Sequence, residues 1–484
     1  MSGHGKGFGT NPEADLPVVR LYLSVDRLSG DTGGGCKEAG RKMRRKKQEE
    51  KIMKKRMLSL VLAGVMTAAV LTGCGGSAGT DAGSTDGAAQ ESESVDEAGE
   101  TADETGASEE TAGEDAAAED GASDTAGDSA GGTFKIGGIG PLTGSNAVYG
   151  IAAMNGSQIA VDEINAAGGI NGMTVELNFQ DDETDSEKSV NAYNALKDWG
   201  VQVIDGCVTS ACSIAVAAKT AEDNIFQLTP SGSAVDCVAN PNSFRVCFSD
   251  PNQGAASAQY IGEHGLATKV AVIYDSSDVY SSGIYEKFAA EAESQSFEIV
   301  AAGAFTADNK TDFSVQLQQA KDAGADMVFL PIYYNEAALI LKQASDMSFD
   351  VKFFGCDGLD GILGVKNFDA SLTEGVMLLT PFAADATDDL TVKFVTTYQE
   401  KFNETPNQFA ADGYDAIYTI KAAAEQAGIT ADMSNEEICT AMQTAMTQIT
   451  VDGLTGEGIT WDASGEPTKE PKAVVIKDGV YTAM

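Results

Sequence analysis

The stretch that decides the fold is residues 134–179, FKIGGIGPLTGSNAVYGIAAMNGSQIAVDEINAAGGINGMTVELNF. Its two ends, 134–139 and 174–179, are short runs rich in β-branched and aromatic residues, which is typical of strands. Between them, residues 152–167 have apolar side chains at helical spacing and end at a Gly-Gly pair, where a helix is expected to stop. The order strand, helix, strand predicts a βαβ unit with parallel strands.

The same alternation continues through the rest of the chain. It predicts an α/β fold in which helices cover both faces of parallel sheets. About 350 residues of this pattern exceed what a single core normally holds, so we expect two doubly wound lobes. The further strands are predicted at 201–204, 225–228, 269–274, 299–304, 327–330 and 352–354, and the further helices at 187–199, 213–223, 280–295, 312–323 and 335–347.

Charge and composition exclude several function classes. The formal net charge is −41, and a surface this acidic repels phosphate backbones, so we expect no nucleic-acid partner. The chain has 2 histidines, of which only His264 lies beyond residue 4, so neither a His-rich metal site nor a Ser-His-Asp triad is expected. The glycines of 137–144 lack the spacing of nucleotide-binding motifs. We therefore expect no catalytic residue, no metal and no cofactor.

The N-terminal part has the layout of a secreted lipoprotein. Basic residues at 54–56 precede an apolar run over 57–70, which is short for a membrane span and typical of a signal peptide. The run leads into Leu-Thr-Gly-Cys, which ends at Cys74 and resembles a bacterial lipobox. In lipoproteins the peptide is cut before the cysteine, which then carries lipid. The resemblance implies lipidation of Cys74 and anchoring on the extracytoplasmic face of the cell membrane.

The segments around this signal follow from it. We expect 53–73 to be the signal peptide and 74–132 to be a disordered tether that begins with the lipidated cysteine. The tether contains 17 acidic residues, no basic residue and almost no bulky apolar side chain, so it cannot offset the entropy of ordering. Residues 1–52 show no pattern that relates them to the segments that follow. They are expected to be a non-native or unstructured extension with the natural start at Met53, and a genuine N-terminal extension is the alternative.

From residue 133 onward the chain resembles a known family. Residues 138–144 (GIGPLTG), 148–150 (VYG) and 160–172 (AVDEINAAGGING) look like the opening of type 1 periplasmic binding proteins. Within that family the chain is most similar to the leucine/isoleucine/valine-binding proteins of ABC importers. Further similar stretches are 230–233, 244–245, 250–251, 333–334, 355–358 and 409–414.

The resemblance implies a fold of two lobes joined by three crossovers, with the ligand in the cleft between them. Lobe 1 would comprise 133–250 and 381–452. Lobe 2 would comprise 251–380 and 453–484. The crossovers would lie near 250–251, 380–381 and 451–454.

An amino acid presents a carboxylate and an ammonium group to such a cleft. Hydroxyls and free N–H groups at helix N-termini suit the carboxylate. Hydroxyl residues follow two strands of lobe 1, at the edge where ligands bind in parallel sheets. Plain helix capping is the alternative role of these hydroxyls. The residues are Thr209, Ser210, Ser231 and Ser233.

The ammonium group needs an acceptor, and the resemblance implies Asp357 for this role. The best-known family members carry Glu at the matching position, whereas this chain has the shorter Asp. The resemblance also implies that Tyr333 lies near the ammonium group. Tyr149, Tyr280 and Tyr414 match positions that line the side-chain pocket or close the cleft. For Asp357 the alternative is a solvated loop carboxylate, and for each tyrosine it is ordinary packing.

The expected function is therefore binding of a small amino acid, branched-chain or otherwise aliphatic, and its delivery to the permease subunits of an ABC importer by a monomeric protein. The alternatives are another small ligand on the same fold, such as an amide, urea or an aromatic acid, or a sensory subunit that docks to a receptor.

An even number of cysteines outside the membrane permits disulfides. One or two bridges are expected among Cys207, Cys212, Cys237 and Cys247, or none if the protein stays reduced, while Cys356 and Cys439 complete the set.

Overall fold

The computed structural model of the protein describes residues 131–484. The predicted N-terminal extension, signal peptide and lipidated Cys74 lie outside these residues, as does the acidic tether except for Gly131 and Gly132. Within residues 131–484, no helix combines the length and the apolar character that crossing a membrane requires.

The first lobe is built on a sheet of five parallel strands in the order β2-β1-β3-β4-β5. The central strands β3 and β4 are buried at every position, as expected for strands covered on both faces. The strands are β1 (Thr133–Gly140), β2 (Thr174–Asp181), β3 (Val203–Gly206), β4 (Phe226–Thr229) and β5 (Ser243–Arg245). The helices between them are α1 (Ala147–Ala166), α2 (Ser186–Trp199) and α3 (Ser210–Asp223).

The second lobe is built on a sheet of seven strands in the order β14-β13-β10-β9-β8-β6-β7. Strands β6 to β10 are parallel, whereas β13 and β14 add an antiparallel edge. The strands are β6 (Lys269–Asp275), β7 (Glu298–Phe305), β8 (Met327–Leu330), β9 (Lys352–Gly355), β10 (Met377–Thr380), β13 (Lys472–Lys477) and β14 (Val480–Ala483), and the helices are α4 (Asp250–Glu263), α5 (Val279–Ala292), α6 (Ser314–Asp322) and α7 (Tyr334–Asp346).

Three helices and a small hairpin follow β10 and return to the first lobe. Glycines let α9 lie directly against α1, since a Cβ at Gly156 would collide with the carbonyl of Ala410, and one at Gly413 with that of Ala153. The elements are α8 (Asp389–Phe402), α9 (Gln408–Ala427), α10 (Asn435–Met446), β11 (Val451–Gly453) and β12 (Gly456–Ile459). The predicted α/β class with two doubly wound, parallel-sheet lobes is thus confirmed.

The third crossover lies later than the sequence predicted. A crossover near 451–454 would place the following residues on the second lobe. Instead, Trp461 donates its indole N–H to the Arg245 carbonyl at the end of β5, at 2.7 Å. Lys469 is still close to Asp412 on α9, with 4.0 Å between Nζ and Oδ1. The chain joins the second sheet only at Lys472, where β13 pairs with β10.

The cysteines also differ from expectation. All six in the described part of the chain are free and buried, so the bridges expected among Cys207, Cys212, Cys237 and Cys247 are not formed. Burial raises the pKa of the Cys207 and Cys247 thiols well above the usual value, which favours the neutral form. The Cys237 thiol lies 3.6 Å from the Ser210 carbonyl, which it contacts as a weak donor.

Candidate functional site

The candidate site is a cleft to which both lobes contribute. The first lobe supplies hydroxyl groups and α3, and the second supplies an acid and aromatic rings. Little free space remains between the closed lobes, about 10 Å³, which is roughly the room for one water molecule. Its lining residues are Tyr149, Val208, Thr209, Ser210, Ser231, Ser233, Tyr280, Tyr333, Asp357, Gly358 and Phe409.

The N-terminus of α3 forms one side of the first lobe's half-site. Thr209 occupies the N-cap position, yet its side chain makes no capping hydrogen bond. Its hydroxyl is buried and has no hydrogen-bond partner of normal geometry among the described residues. The N–H groups of the first helical turn have no intrahelical acceptor, and the helix dipole makes this end positive. The half-site is therefore arranged to accept an anionic group.

The loop after β4 forms the other side of this half-site. Arg245 is fully buried, and its guanidinium donates to consecutive carbonyls of the loop, including those of Gly232 at 3.2 Å and Ala234 at 3.0 Å. The Ser210 hydroxyl accepts from the N–H groups of Ser233 and Ala234, both at 3.1 Å. These bonds fix the loop against the start of α3. Arg245 also adds a positive charge behind it without lining the cleft.

Ser231 connects the cleft to a buried acid. Its hydroxyl donates to Oδ2 of Asp412 on α9 at 2.9 Å. Burial raises the pKa of Asp412 to about 8, while Lys469 and the Ser231 hydroxyl lower it. The other carboxylate oxygen of Asp412 has no hydrogen-bond partner in residues 131–484.

Asp357 is the acid of the second lobe's half-site. It lies two residues after the end of β9 and is 3% exposed. The Tyr280 hydroxyl donates to Oδ1 at 2.7 Å, and the Gln253 amide donates to Oδ2 at 2.9 Å. Burial raises the pKa of Asp357 to about 6, against the lowering effect of these hydrogen bonds. No cation pairs with Asp357 in the described structure, so the site lacks a positive charge at this point.

Aromatic rings form the walls between the two half-sites. Tyr280 and Tyr333 stack with centroids 5.0 Å apart, and Tyr149 meets the edge of Tyr333 at 5.7 Å. Phe409 at the start of α9 packs on Tyr149 with centroids 4.2 Å apart. These rings give the middle of the cleft an apolar surface, which suits a short hydrocarbon side chain.

The lobes are closed on each other at this site. The Tyr149 hydroxyl donates to the Gly358 carbonyl at 2.5 Å and accepts from the Tyr334 N–H at 3.2 Å. The Tyr334 hydroxyl donates back to the Ser145 carbonyl at 2.6 Å. Each bond joins a residue of the first lobe to one of the second.

The structure brings together eight of the nine residues that the sequence singled out for ligand binding. The exception is Tyr414, whose hydroxyl donates to Oε2 of Glu163 at 2.8 Å between α9 and α1. A separation of five helical residues turns Tyr414 about 140° away from Phe409, so both cannot face the cleft. Tyr414 is therefore a packing residue.

Sequence reasoning did not assign roles to several residues of the site. Val208, Gly358 and Phe409 line the cleft, and Gln253 orients the acid. Phe409 begins one of the stretches that resemble the family, so a signal existed for it. Gln253 had none, because its contact with Asp357 spans 104 positions of sequence.

Comparisons with known proteins place the chain in a family. Residues 133–479 match the sequence profile of the family described as periplasmic binding protein. The Leu/Ile/Val-binding protein BraC3 of Rhizobium johnstonii is 31% identical over 335 residues, covering 68% of this chain and 89% of that protein.

Two crystal structures with a similar fold belong to branched-chain amino acid binding proteins. The substrate-binding protein of Streptococcus pneumoniae, solved with isoleucine, has a TM-score of 0.66 at 29% identity and covers 72% of this chain and 98% of its own. The leucine-binding protein of Thermotoga maritima has a TM-score of 0.65 at 28% identity and covers 72% of this chain and 97% of its own. The relatives of this chain include Leu/Ile/Val-binding proteins. The chain belongs to the periplasmic binding protein family, whose members bind solutes.

Proposed function

We propose that the protein binds a small aliphatic α-amino acid, of the branched-chain class, in the cleft between its lobes and performs no chemistry on it. The observation that carries this is the pairing of opposite polarities across the cleft. Asp357 is a buried carboxylate without a cation on one lobe. The Thr209 hydroxyl, which has no hydrogen-bond partner of normal geometry among the described residues, and the positive end of α3 face it from the other.

A zwitterion satisfies both sides at once. Its carboxylate meets the start of α3 and the Thr209 hydroxyl, and its ammonium group meets Asp357. Its side chain then lies among Tyr149, Tyr333 and Phe409, where aliphatic groups are preferred over charged ones. The known relatives support the branched-chain class, since one is described as a leucine-binding protein and another was solved with isoleucine. The ligand bridges the lobes and thereby stabilises their closure.

A thermal-shift screen against the twenty amino acids tests this proposal, with urea, small amides and benzoate added to the panel. A ligand at a thousandfold excess over its Kd stabilises the native protein by roughly 4 kcal/mol. We expect leucine, isoleucine or valine to give the largest shift. A larger shift with an uncharged amide or with benzoate than with any amino acid would contradict the proposal, because neither offers an ammonium group to Asp357.

The proposed place of action is the outer face of the cell membrane, where the closed, monomeric protein passes its ligand to ABC permease subunits. The support is the Leu-Thr-Gly-Cys sequence that ends at Cys74 and the description of the S. pneumoniae relative as the substrate-binding protein of a branched-chain amino acid transporter. Docking to a membrane receptor instead of a permease is the remaining alternative. Loss of labelled amino-acid uptake on deletion of the gene, restored by the parent chain, distinguishes transport from sensing.

The lipid anchor has its own test. Cys74→Ala removes the thiol that would carry lipid, so the protein should leave the membrane fraction or accumulate as an uncut precursor. Cys36→Ala is the matched control and should fractionate like the parent. Intact-mass measurement of the mature parent protein that shows an unmodified Cys74, or residues 1–73 still attached, would contradict the anchor.

A further inference from the structure

Residues 461–469, which we call the strap, attach the first lobe's half-site to the chain segment that enters the second lobe. The strap's Gly465 carbonyl accepts from the Arg245 N–H at 3.2 Å, and Glu466 pairs with the Arg245 guanidinium at 3.2 Å. Three residues after the strap ends, β13 begins at Lys472. The strap is therefore bound to one lobe and continuous with the sheet of the other.

Lys469 at the end of the strap is the start of a buried chain of contacts that reaches the cleft. Its side chain is 1% exposed, and Nζ lies 4.0 Å from Oδ1 of Asp412, whose side chain is 0% exposed. Nζ also donates to the Thr455 hydroxyl at 2.5 Å. The other oxygen of Asp412 accepts from Ser231 at 2.9 Å, and Ser231 lines the cleft. The order from strap to ligand site is thus Lys469, Asp412, Ser231.

The direction of the hydrogen bond between Ser231 and Asp412 decides whether Ser231 can donate to a ligand or only accept from it. A serine hydroxyl has one hydrogen and two lone pairs. While Asp412 is ionised, it takes that hydrogen, and Ser231 can only accept a hydrogen bond from the cleft. When Asp412 is protonated, it can donate to Ser231, whose own hydrogen is then free to turn toward the cleft. An acceptor suits an ammonium group, and a donor suits a carboxylate.

We infer that Lys469 is a positioning residue for ligand binding, which favours the ionised form of Asp412 in the ligand complex, so that Ser231 accepts a hydrogen bond from the ligand's ammonium group. This inference rests on the proposed amino-acid-binding function. It gives the ammonium group an acceptor on the first lobe in addition to Asp357 on the second.

Several charged or titratable groups face Asp412. Burial is the main cause that raises its pKa, and Asp415 and Asp357 raise it further, while Lys469 lowers it. Cys247 also faces Asp412, but burial holds that thiol in its neutral form. Because the pKa of Asp412 is about 8, most of it is protonated at neutral pH before the ligand arrives. Binding at pH 7 should therefore release a proton from Asp412.

Calorimetry with L-leucine as the probe, from pH 6 to pH 9 and in buffers of different ionisation enthalpy, tests the inference. The parent should bind more tightly as the pH rises, by about fivefold between pH 7 and pH 8, and should release close to one proton at pH 7. Lys469→Met should raise the pKa of Asp412 and weaken binding at pH 7 by about tenfold. The increase of affinity with pH should then occur at higher pH than in the parent.

Three further variants complete the set. Lys469→Arg should restore the parent profile, because it keeps the charge. Lys477→Met, at an exposed position of β13, is the matched control and should bind like the parent. Ser231→Ala keeps the buried ion pair and should remove the proton release near pH 7, which provides a readout if Lys469→Met does not fold.

The outcomes separate the inference from the function on which it rests. A folded Lys469→Met with the parent pH profile, or with an equal loss at every pH, overturns the positioning role. If the parent does not bind L-leucine, the proposed function is wrong for that amino acid. Carbon-13 NMR of the ligand-free protein then decides the inference. Asp412 should titrate near pH 8 in the parent and higher in Lys469→Met, and identical midpoints overturn the inference.

Discussion

Asp357 is the main buried charge of the cleft that lacks a partner of opposite charge. Its two oxygens are held by neutral donors, Tyr280 and Gln253, which orient the carboxylate without neutralising it. Keeping an unpaired charge out of water is costly, and the pKa of about 6 reflects that cost. A ligand ammonium group would supply the missing charge.

We predict that Asp357→Asn leaves the protein folded and weakens amino-acid binding by about thirtyfold or more. The desolvated ammonium group would lose its charge partner, and such a loss costs about 2–5 kcal/mol. Thr209→Val is the comparison and should weaken binding by only about tenfold, because N–H groups of α3 still hold the carboxylate. Calorimetry measures both, with circular dichroism to confirm folding. Parent-like affinity of Asp357→Asn would exclude an ion pair at this position.

The acidity of Asp357 gives the affinity a pH dependence on the acid side. The pKa in the ligand-free protein is raised to about 6, so the carboxyl becomes neutral as the pH falls through this value. Binding of an ammonium group favours the ionised form, and affinity should therefore fall below pH 6 in the parent. Asp357→Asn, whose amide does not titrate, should lose this further decline below pH 6 and keep only the pH dependence that Asp412 gives the parent.

Single residues were predictable where a local signal existed. Hydroxyls after β3 and β4 could be assigned because the ends of parallel strands meet at one edge of a sheet, whereas Asp357 was assigned only through the resemblance to the family. Arg245 and Gln253 could not, since their roles depend on contacts with carbonyls or acids brought near only by the fold. Tyr414 was wrong because a short matching stretch does not tell which side of a helix each residue faces.

At the scale of elements, the alternation of apolar runs predicted most strands and helices between β1 and β9 in the right order. It missed β5 and α4, named no element after residue 354 and did not show where each helix begins. The sequence predicted starts at residues 152 and 213, whereas α1 starts at Ala147 and α3 at Ser210. α3 opens with small and polar residues, which carry no hydrophobic period, whereas α1 opens with Ala147, Val148 and Tyr149 followed by Gly150, a residue that disfavours helices. The early start of α3 matters, because it puts Thr209 at the N-cap.

The strap was not predicted, and one glycine in it allows a specific test. Gly465 has a φ of +85°, and a Cβ there would lie 2.5 Å from the Ser243 carbonyl oxygen. We predict that Gly465→Ala destabilises the protein by about 1–3 kcal/mol through backbone strain and this collision. Gly428→Ala is the matched control, since its φ is +64° and no atom lies within 4 Å, so only the backbone contributes. Urea unfolding measures both, and equal losses would mean that the strap moves aside.

At the scale of the whole molecule, two lobes followed from chain length and the alternating pattern. The third crossover was misplaced because β11 and β12 form a separate hairpin that stays with the first lobe. Asp415 on α9 holds this region by accepting from the Leu454 N–H at 2.8 Å and the Thr455 N–H at 2.9 Å. Such long-range polar contacts leave no trace in a hydrophobic pattern.

The composition of residues 75–132 leads to a prediction about the intact chain. A truncated protein that begins at Gly132 should bind its amino acid within about threefold of the full-length affinity, since a tenfold change needs about 1.4 kcal/mol. The reason is that every residue lining the cleft lies between 149 and 409. Calorimetry on both proteins measures this, and a larger loss would assign the acidic segment a part in the site.

The Tyr149 hydroxyl has a kinetic consequence. Because it joins Gly358 and Tyr334 across the closed lobes, those bonds must break before a solute can enter or leave. Each is worth about 0.5–1.5 kcal/mol, so Tyr149→Phe should speed both association and dissociation several-fold in stopped-flow fluorescence while changing Kd less than either rate. Unchanged rates would mean that the barrier lies elsewhere. The residence time of the solute is then a property that this single oxygen helps to set, separately from how tightly the solute is held.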